Sequence, residues 1–216
     1  MSADPPGAVL VDFGGVLTTD VFDAFRLVSS RVSGDPGLIE RLFRTDSAAA
    51  RLLAEHERGR IGEAEFEAGF VSRMRTYREV LVPGGLIDDI HSQLSLDEHM
   101  IAAMRRIRQD GIPVALVSNS LGDDGYRSVH LPDIVDVAVI SREVAARKPE
   151  RRIYETACAA LDVAPERCVM IDDLEHNLTG AARIGIHGIH HTDTAATIAT
   201  LEHMFGIDMA QNSGAE

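Results

Sequence analysis

Cysteine, lysine and long apolar runs are all scarce in this chain of 216 residues. The two cysteines, Cys158 and Cys168, are too few for a disulfide framework or a cysteine-rich metal cluster. Apolar runs such as residues 8–11 are far shorter than the roughly 18 residues of a membrane-spanning helix, and residues 1–7 lack the basic start and apolar core of a secretory signal. These absences predict a cytoplasmic protein in a reducing compartment, with both cysteines in its core.

Basic residues are also in deficit, because lysine and arginine number 21 against 34 aspartates and glutamates and give a net charge of -13. A chain of this charge repels polyanions, so we expect neither a nucleic acid nor a membrane surface as partner. Of the 21 basic residues 20 are arginine, and the single lysine is Lys148. Since the chain uses arginine everywhere else, we interpret residue 148 as a position that needs a compact ammonium group.

The residues that are present describe a globular domain. Hydrophobic residues make up 45% of the chain and charged residues 25%, which disfavours disorder and coiled coil. Short β-branched segments alternate with helical patterns, which is typical of a parallel sheet with helices on its faces. We therefore predict an α/β fold with a Rossmann-like parallel sheet. Its strands are predicted at residues 8–13, 113–118, 134–140, 167–172 and 186–190.

One long stretch, residues 19–82, contains helical patterns but no strand pattern. We interpret it as an inserted all-helical domain, so that the α/β core consists of residues 1–18 and 83–216. An insert after the first strand returns to the carboxyl edge of the sheet, where open α/β sheets carry their sites. The phenylalanines of the insert lie at helical spacings, and we expect them to form its core rather than to contact substrate. They are Phe22, Phe25, Phe43, Phe66 and Phe70.

Polar residues collect where the predicted strands end. Asp12 ends the first strand, and Gly14 and Gly15 then allow a tight turn whose backbone N–H groups can approach an anion. The other polar positions are Ser118 and Asn119 after the second strand, Lys148 before a helix, and Asp172, Asp173 and Asn177 after the fourth strand.

These four groups, in this order, resemble the four motifs of the haloacid dehalogenase superfamily of hydrolases. That family has an aspartate nucleophile after strand one, a serine or threonine after strand two, a lysine before a later helix and an acidic pair after strand four. The resemblance covers essentially the whole chain. The helical insert is similar to the small helical cap of one large subfamily, as is the Gly59-x-Ile61 pattern with Phe66 downstream.

The resemblance implies a Mg²⁺-dependent phosphohydrolase that acts on a small phosphorylated metabolite, as a monomer or homodimer. Asp12 would attack phosphorus and carry an aspartyl-phosphate, and Lys148 would offset the charge on the reacting groups. The implied Mg²⁺ site comprises Asp12, Asp173, the Gly14 carbonyl and Asp172, with Asp172 and Asn177 behind the direct ligands or linked through water. The implied phosphate-binding residues are Ser118, Asn119, Gly14 and Gly15.

One position departs from the family pattern. Phosphatases of the family usually carry a second aspartate two residues after the nucleophile as general acid and base, and this chain has Gly14 there. Loss of such a group costs roughly 10²- to 10⁴-fold in rate. The loss matters less for anomeric sugar, acyl or aryl phosphates, and Asp20 or Asp23 are candidate substitutes. Two alternatives stay open: a dehalogenase in which Asp12 forms an ester with carbon, and a weakly active or inactive binding or regulatory protein.

Overall fold

The computed structural model describes residues 5–82, 84–123 and 125–209. Five parallel strands form one sheet in the order β3-β2-β1-β4-β5. The strands are β1 (Ala8–Val11), β2 (Val114–Ser118), β3 (Val137–Ile140), β4 (Cys168–Asp172) and β5 (His187–His190). The predicted α/β fold with a parallel sheet is confirmed, and every predicted strand is present within three residues of its expected bounds at either end.

Helices cover the sheet and fill the insert. The first five are α1 (Val21–Ser33), α2 (Leu38–Thr45), α3 (Ser47–Glu57), α4 (Glu63–Arg75) and α5 (Leu86–His91). The next five are α6 (Glu98–Gln109), α7 (Ser141–Val144), α8 (Arg151–Leu161), α9 (Glu175–Ala182) and α10 (Thr194–Phe205). No helix in the described ranges combines the length and apolar character needed to cross a membrane.

Alternate residues of the buried strands face two separate cores, as the period of two in a strand requires. Val9 and Val11 of β1 pack with Met104 of α6 on one face of the sheet. Leu10 packs on the opposite face with Tyr154 of α8. Burial on both faces makes β1 a central strand, which fixes the position of the residue that follows it.

The insert has a third core of its own. Its helices bury the phenylalanines Phe66 and Phe70 together with Leu86, Ile87 and Ile90 of α5. α5 is also tied to α4, because the backbone N–H of Ile87 donates to Glu67 Oε1 at 2.7 Å. The sequence assigned the segment after residue 82 to the α/β core, and residue 83 itself lies outside the described residues.

The chain enters and leaves the insert through two adjacent segments. Thr18 and Leu96 form an isolated antiparallel bridge. Beside it the N–H of Thr19 donates to the Ser95 carbonyl at 2.8 Å, and the N–H of Asp97 donates to the Leu17 carbonyl at 2.9 Å. This paired connection holds the insert over the carboxyl ends of the strands.

Candidate active site

Asp12 follows β1 directly and lies at the carboxyl edge of the sheet. Its side chain is buried, with 7% of the residue exposed. Asp12 Oδ1 accepts a hydrogen bond from the N–H of Phe13 at 2.7 Å and lies 2.7 Å from Lys148 Nζ. Burial is the largest influence on this carboxyl group and, against the opposing pull of Lys148, raises its pKa to about 7.

Lys148, the single lysine, lies between two carboxylates. Its Nζ is 2.7 Å from both Asp12 Oδ1 and Asp172 Oδ2, and the residue is 1% exposed. Burial alone would lower the pKa of this ammonium, but the two carboxylates outweigh burial and raise it. Lys148 is therefore charged, as the sequence interpretation required.

Asn119 holds the backbone of Lys148 from both sides. Its Oδ1 accepts from the Lys148 N–H at 2.8 Å, and its Nδ2 donates to the Lys148 carbonyl at 3.1 Å. The sequence assigned Asn119 to phosphate binding. In the structure its amide instead links the end of β2 to the segment that carries the lysine.

Asp172 is completely buried, and both oxygens of its carboxylate have partners. Besides Lys148, it accepts hydrogen bonds from the Leu174 N–H at 2.9 Å and from Asn177 Nδ2 at 2.9 and 3.2 Å. These contacts make Asp172 the residue that anchors Lys148 and the start of α9. Asn177 is buried beside Asp172, to which it donates from Nδ2.

Asp173 differs from its neighbour because one of its oxygens lacks a partner. Within the described part of the chain, Asp173 Oδ1 is buried without a hydrogen bond. Burial and the adjacent Asp172 raise the pKa of Asp173 to about 6. Oxygen atoms from Asp12, Asp172 and Asp173 lie within 4.8 Å of one another. A buried oxygen without a donor beside further carboxylates fits a hard divalent cation such as Mg²⁺.

At Gly14 and at Gly15 a side chain would come into close contact with neighbouring atoms. Gly15 has φ +76°, and a Cβ there would lie 2.6 Å from Asp173 Oδ2. A Cβ on Gly14 would lie 2.7 Å from Val21 Cγ2, at the start of α1. The N–H of Gly15 donates to Thr18 Oγ1 at 3.2 Å, so it stabilises the turn itself. The missing aspartate at residue 14 thus coincides with close packing of the insert.

Asp20 and Asp23, the two candidate substitutes for that aspartate, form contacts within the insert. Asp20 Oδ1 accepts from the Phe22 N–H at 2.7 Å and caps α1. Asp23 Oδ1 pairs with Arg26 Nη2 at 2.6 Å on the exposed side of the same helix. Both carboxylates therefore have structural partners at the start of the insert.

A cavity of about 600 Å³ lies above the carboxylates. Its floor includes Asp12, Lys148, Asp173 and Ser118, so the structure brings together residues from four separate strand ends or loops. Ser118 ends β2 and is 3% exposed, and Tyr126 lines the same cavity. The tyrosine was not predicted from sequence, since it lies in a loop without a recognisable pattern.

Among the charged residues that the insert places on the cavity is Glu57, which sequence analysis did not assign to the site. Glu57, at the end of α3, lines the cavity and pairs with Arg147 at 2.6 Å between Oε2 and Nε. Burial raises the pKa of Glu57 to about 7 against the opposing effect of Arg147. The signal available was the Gly-x-Ile pattern, which begins two residues later and marks this turn.

Glu57 is positioned by direct contacts between insert and core. Its carbonyl accepts from Ser141 Oγ at 2.6 Å. The neighbouring His56 is buried, and its Nε2 accepts from the Gly122 N–H at 2.9 Å. Gly59 has φ +69°, and a Cβ there would lie 2.8 Å from the Arg142 carbonyl oxygen. These contacts fix the end of α3 over the sheet.

The phenylalanines of the insert divide into two groups. Phe66 and Phe70 are 1% and 0% exposed and belong to the core, as expected. Phe25, at 8% exposed, belongs to the same buried cluster, and Phe22 and Phe43 pack against it, but all three also line the cavity. Helical spacing identifies a buried face, but it does not distinguish a core from the wall of a cavity.

Comparison with known proteins agrees with this arrangement. A family model for haloacid dehalogenase-like hydrolases matches residues 6–185. The chain is 26% identical over 153 residues to the sesquiterpene phosphatase astK of Aspergillus oryzae, covering 66% of this chain and 78% of that protein. It is 23% identical over 104 residues to (S)-2-haloacid dehalogenase 1 of Pseudomonas, covering 47% of this chain and 46% of that protein. The chain thus spans less than half the length of the second relative.

A solved structure shares the fold. It is a HAD family enzyme from Bacteroides thetaiotaomicron in complex with magnesium and inorganic phosphate, with a TM-score of 0.63 and 22% identity. The similarity covers 85% of this chain and 93% of that one. Because the sequence relatives include both a phosphatase and a dehalogenase, the reaction must be argued from the site itself.

Proposed function

The chain belongs to the haloacid dehalogenase-like hydrolase family, and from this premise we propose that it is a Mg²⁺-dependent phosphohydrolase acting on a small phosphorylated metabolite. The observation that carries the proposal is Asp173 Oδ1, which is buried beside Asp12 without a donor. A carboxylate in this position is costly unless a cation binds it. Attack of Asp12 on the carbon of a haloacid needs no such cation, so the pair of aspartates favours phosphoryl transfer.

In this proposal Asp12, Asp173 and the Gly14 carbonyl hold the Mg²⁺. When bound, the ion would neutralise negative charge on the carboxylates and on the substrate phosphate. Asp172 stays behind the ligands, because its oxygens are engaged with Lys148, Leu174 and Asn177.

Asp12 is the nucleophile of the proposed reaction. Its contacts with Phe13 and Lys148 are both on Oδ1, so we assign the attack on phosphorus to Oδ2. The new Oδ2–P bond forms as the bond from phosphorus to the ester oxygen breaks, and the released oxygen takes up a proton. Water then cleaves the aspartyl-phosphate, releasing inorganic phosphate and restoring Asp12. Lys148 and Ser118 stabilise the negative charge during both steps.

The helical insert is the cap of this site. We propose that the cap extends through α5 rather than ending at residue 82, which the Thr18–Leu96 bridge and the packing of α5 in the insert's core support. Its role is to cover the carboxylates and to provide the walls that select the substrate. The sesquiterpene phosphatase relative supports the phosphatase reaction.

The experiment measures phosphate release from a panel of metabolite phosphates and p-nitrophenyl phosphate, with Mg²⁺ and with EDTA. We expect turnover that requires Mg²⁺ and that is lost in Asp12→Asn, while circular dichroism shows both proteins folded. Leu27→Gln, on the exposed side of α1 (59% exposed), is the matched control and should retain activity. Folded wild-type protein without phosphatase activity, or halide release from 2-haloacids that persists in EDTA, would contradict the proposal.

A further inference from the structure

The cavity has two chemically different ends. Its floor carries the charged groups of Asp12, Lys148 and Asp173. Glu40, Arg44 and Glu57 also line the cavity, but most of its wall side chains are apolar and come largely from the insert. They are Val21, Phe22, Phe25, Phe43, Leu53 and Leu121. A ligand that fills the cavity must therefore combine an anionic group with an apolar body.

The aromatic wall is held in place by a continuous series of ring contacts. Phe22 meets Phe25 with centroids 5.9 Å apart, and Phe25 meets Phe43 at 5.8 Å. Phe43 stacks on the buried Phe70 at 4.6 Å, and Phe70 stacks on Phe66 at 5.6 Å. The two buried rings thus support the rings that face the cavity. The wall is a fixed apolar surface rather than a set of mobile side chains.

Phenylalanine is concentrated in the insert that forms this wall. Aromatic residues make up only 5% of the chain, yet five of its seven phenylalanines, namely 22, 25, 43, 66 and 70, lie within residues 19–82. Three of these five line the cavity. Most of the phenylalanines of the protein therefore belong to the wall and its support.

Several polar groups around the cavity already have partners. Glu57 pairs with Arg147, and Glu40 pairs with Arg26 at 3.0 Å. Asn119 uses both ends of its amide on the backbone of Lys148. A sugar or nucleotide body would bring hydroxyl and amino groups against the apolar wall, where unmade hydrogen bonds are costly. A hydrocarbon body avoids this cost.

We propose that the substrate is a phosphate monoester whose body is an uncharged hydrocarbon, aromatic or aliphatic. This inference rests on the proposed phosphohydrolase function and specifies its substrate class. The phosphate lies on the floor at Asp12, and the hydrocarbon packs against Phe22, Phe25 and Phe43. Within this class, an aryl ester has a leaving group that needs little protonation, which suits a site with glycine at residue 14.

The direct test is calorimetric binding of methyl-, butyl- and octylphosphonate to the Mg²⁺-loaded protein, since phosphonates of this kind are not hydrolysed. We expect the dissociation constant to fall by up to about fourfold for each methylene group that enters the cavity. A negative heat-capacity change that grows with chain length should accompany the tighter binding. Equal affinity for all three phosphonates would overturn the inference.

A variant of the wall tests the location of the hydrocarbon. Phe22→Gln should weaken octylphosphonate binding by about tenfold and leave methylphosphonate binding unchanged, because only the longer ligand reaches the ring. Leu27→Gln on the outer side of the same helix should bind both ligands like the wild type. Tight octylphosphonate binding that is unchanged in Phe22→Gln would overturn the assignment.

The outcomes separate this inference from the function on which it rests. If the protein hydrolyses sugar phosphates as well as or better than aryl and alkyl phosphates, the phosphohydrolase function stands and the hydrocarbon inference is wrong. If folded protein binds no phosphonate and hydrolyses no ester, both are wrong.

Discussion

Lys148 shows how the site depends on single residues. Its ammonium lies 2.7 Å from Asp12 Oδ1 and from Asp172 Oδ2 in a place that is almost closed to solvent. Two buried carboxylates and one ammonium leave a net negative charge, which a further cation can offset. The use of lysine at this position therefore has a physical reason: a small cation fits between the two oxygens.

Replacing this residue tests that reason. We expect Lys148→Arg to keep the fold but to lose roughly 10²- to 10³-fold of the phosphatase kcat, because the larger planar guanidinium does not fit the same space. Its unfolding free energy should fall by about 1–3 kcal/mol through overpacking. Arg151→Lys, a change of the same kind at an exposed position, is the control and should match the wild type in both measurements. Near-normal turnover of Lys148→Arg would contradict the role assigned to the ammonium.

Gly14 gives a second prediction at this scale. A side chain at residue 14 meets Val21 Cγ2 at 2.7 Å, so Gly14→Asp alone should lower the unfolding free energy by about 1–3 kcal/mol. The double variant Gly14→Asp/Val21→Ala removes the contact and should recover much of that loss, which urea titration measures. If the single variant is as stable as the wild type, the packing explanation for glycine is wrong.

Glu57 makes stability depend on pH. Burial raises its pKa from 4.5 to about 7, so between these values the native state holds a proton that the unfolded chain has released. The unfolding free energy of the wild type therefore falls as pH rises through this range. Glutamine does not titrate. The unfolding free energy of Glu57→Gln should therefore rise relative to that of the wild type by up to roughly 3 kcal/mol between about pH 4 and pH 8.

The measurement is urea unfolding in EDTA at several pH values. Glu65→Gln, on the exposed side of α4, serves as the control and should follow the wild-type curve. A constant difference in unfolding free energy between Glu57→Gln and the wild type over the whole range would mean that folding does not raise the pKa of Glu57.

Sequence analysis named several side chains that line the cavity, Lys148 among them although it follows no strand directly, and missed others. Asp12, Ser118 and Asp173 were identifiable because parallel strands end at one edge of the sheet. Glu57 and Tyr126 depend on how the end of α3 and a loop pack over that edge. Such packing is set by contacts between distant residues, which spacing along the chain does not encode.

At the scale of elements, the strands and long helices were predictable because burial on both faces and helical periodicity leave clear patterns. The short helices α5 and α7 were not predicted. Helix α5 has only six residues, too few to show a period, and its place in the insert is fixed by packing on α1 and α4. The Thr18–Leu96 bridge lies beyond this helix, which supports the proposal that the insert extends through α5.

The docking of α3 on the core gives a prediction for two glycines. Gly59 and Gly34 both have φ +69°, but a Cβ at Gly59 meets the Arg142 carbonyl at 2.8 Å, whereas a Cβ at Gly34 meets nothing within 4 Å. Gly34→Ala should cost about 1 kcal/mol from backbone strain alone. Gly59→Ala should cost about 1–3 kcal/mol more, because its Cβ also meets the Arg142 carbonyl. Equal stability of the two variants would contradict the close docking of the insert.

At the scale of the whole molecule, the sheet and the insert contribute different kinds of side chain to the cavity. The sheet collects charged groups at one edge, and the insert covers them with an apolar wall. The net charge of -13 repels an extended polyanion at long range but does not oppose binding of one phosphate held by a metal ion. The fold class could be predicted from sequence, whereas the character of the cavity required the side chains of the insert to be placed.

The most direct test of the whole account is a crystal structure of the protein with Mg²⁺ and beryllium fluoride, which mimics a phosphoryl group. The account predicts beryllium fluoride bonded to a carboxylate oxygen of Asp12, with Mg²⁺ held by Asp12 and Asp173 and with Lys148 beside them. An Asp12 carboxylate that stays free, or Mg²⁺ bound without Asp173, would contradict the proposed phosphohydrolase site.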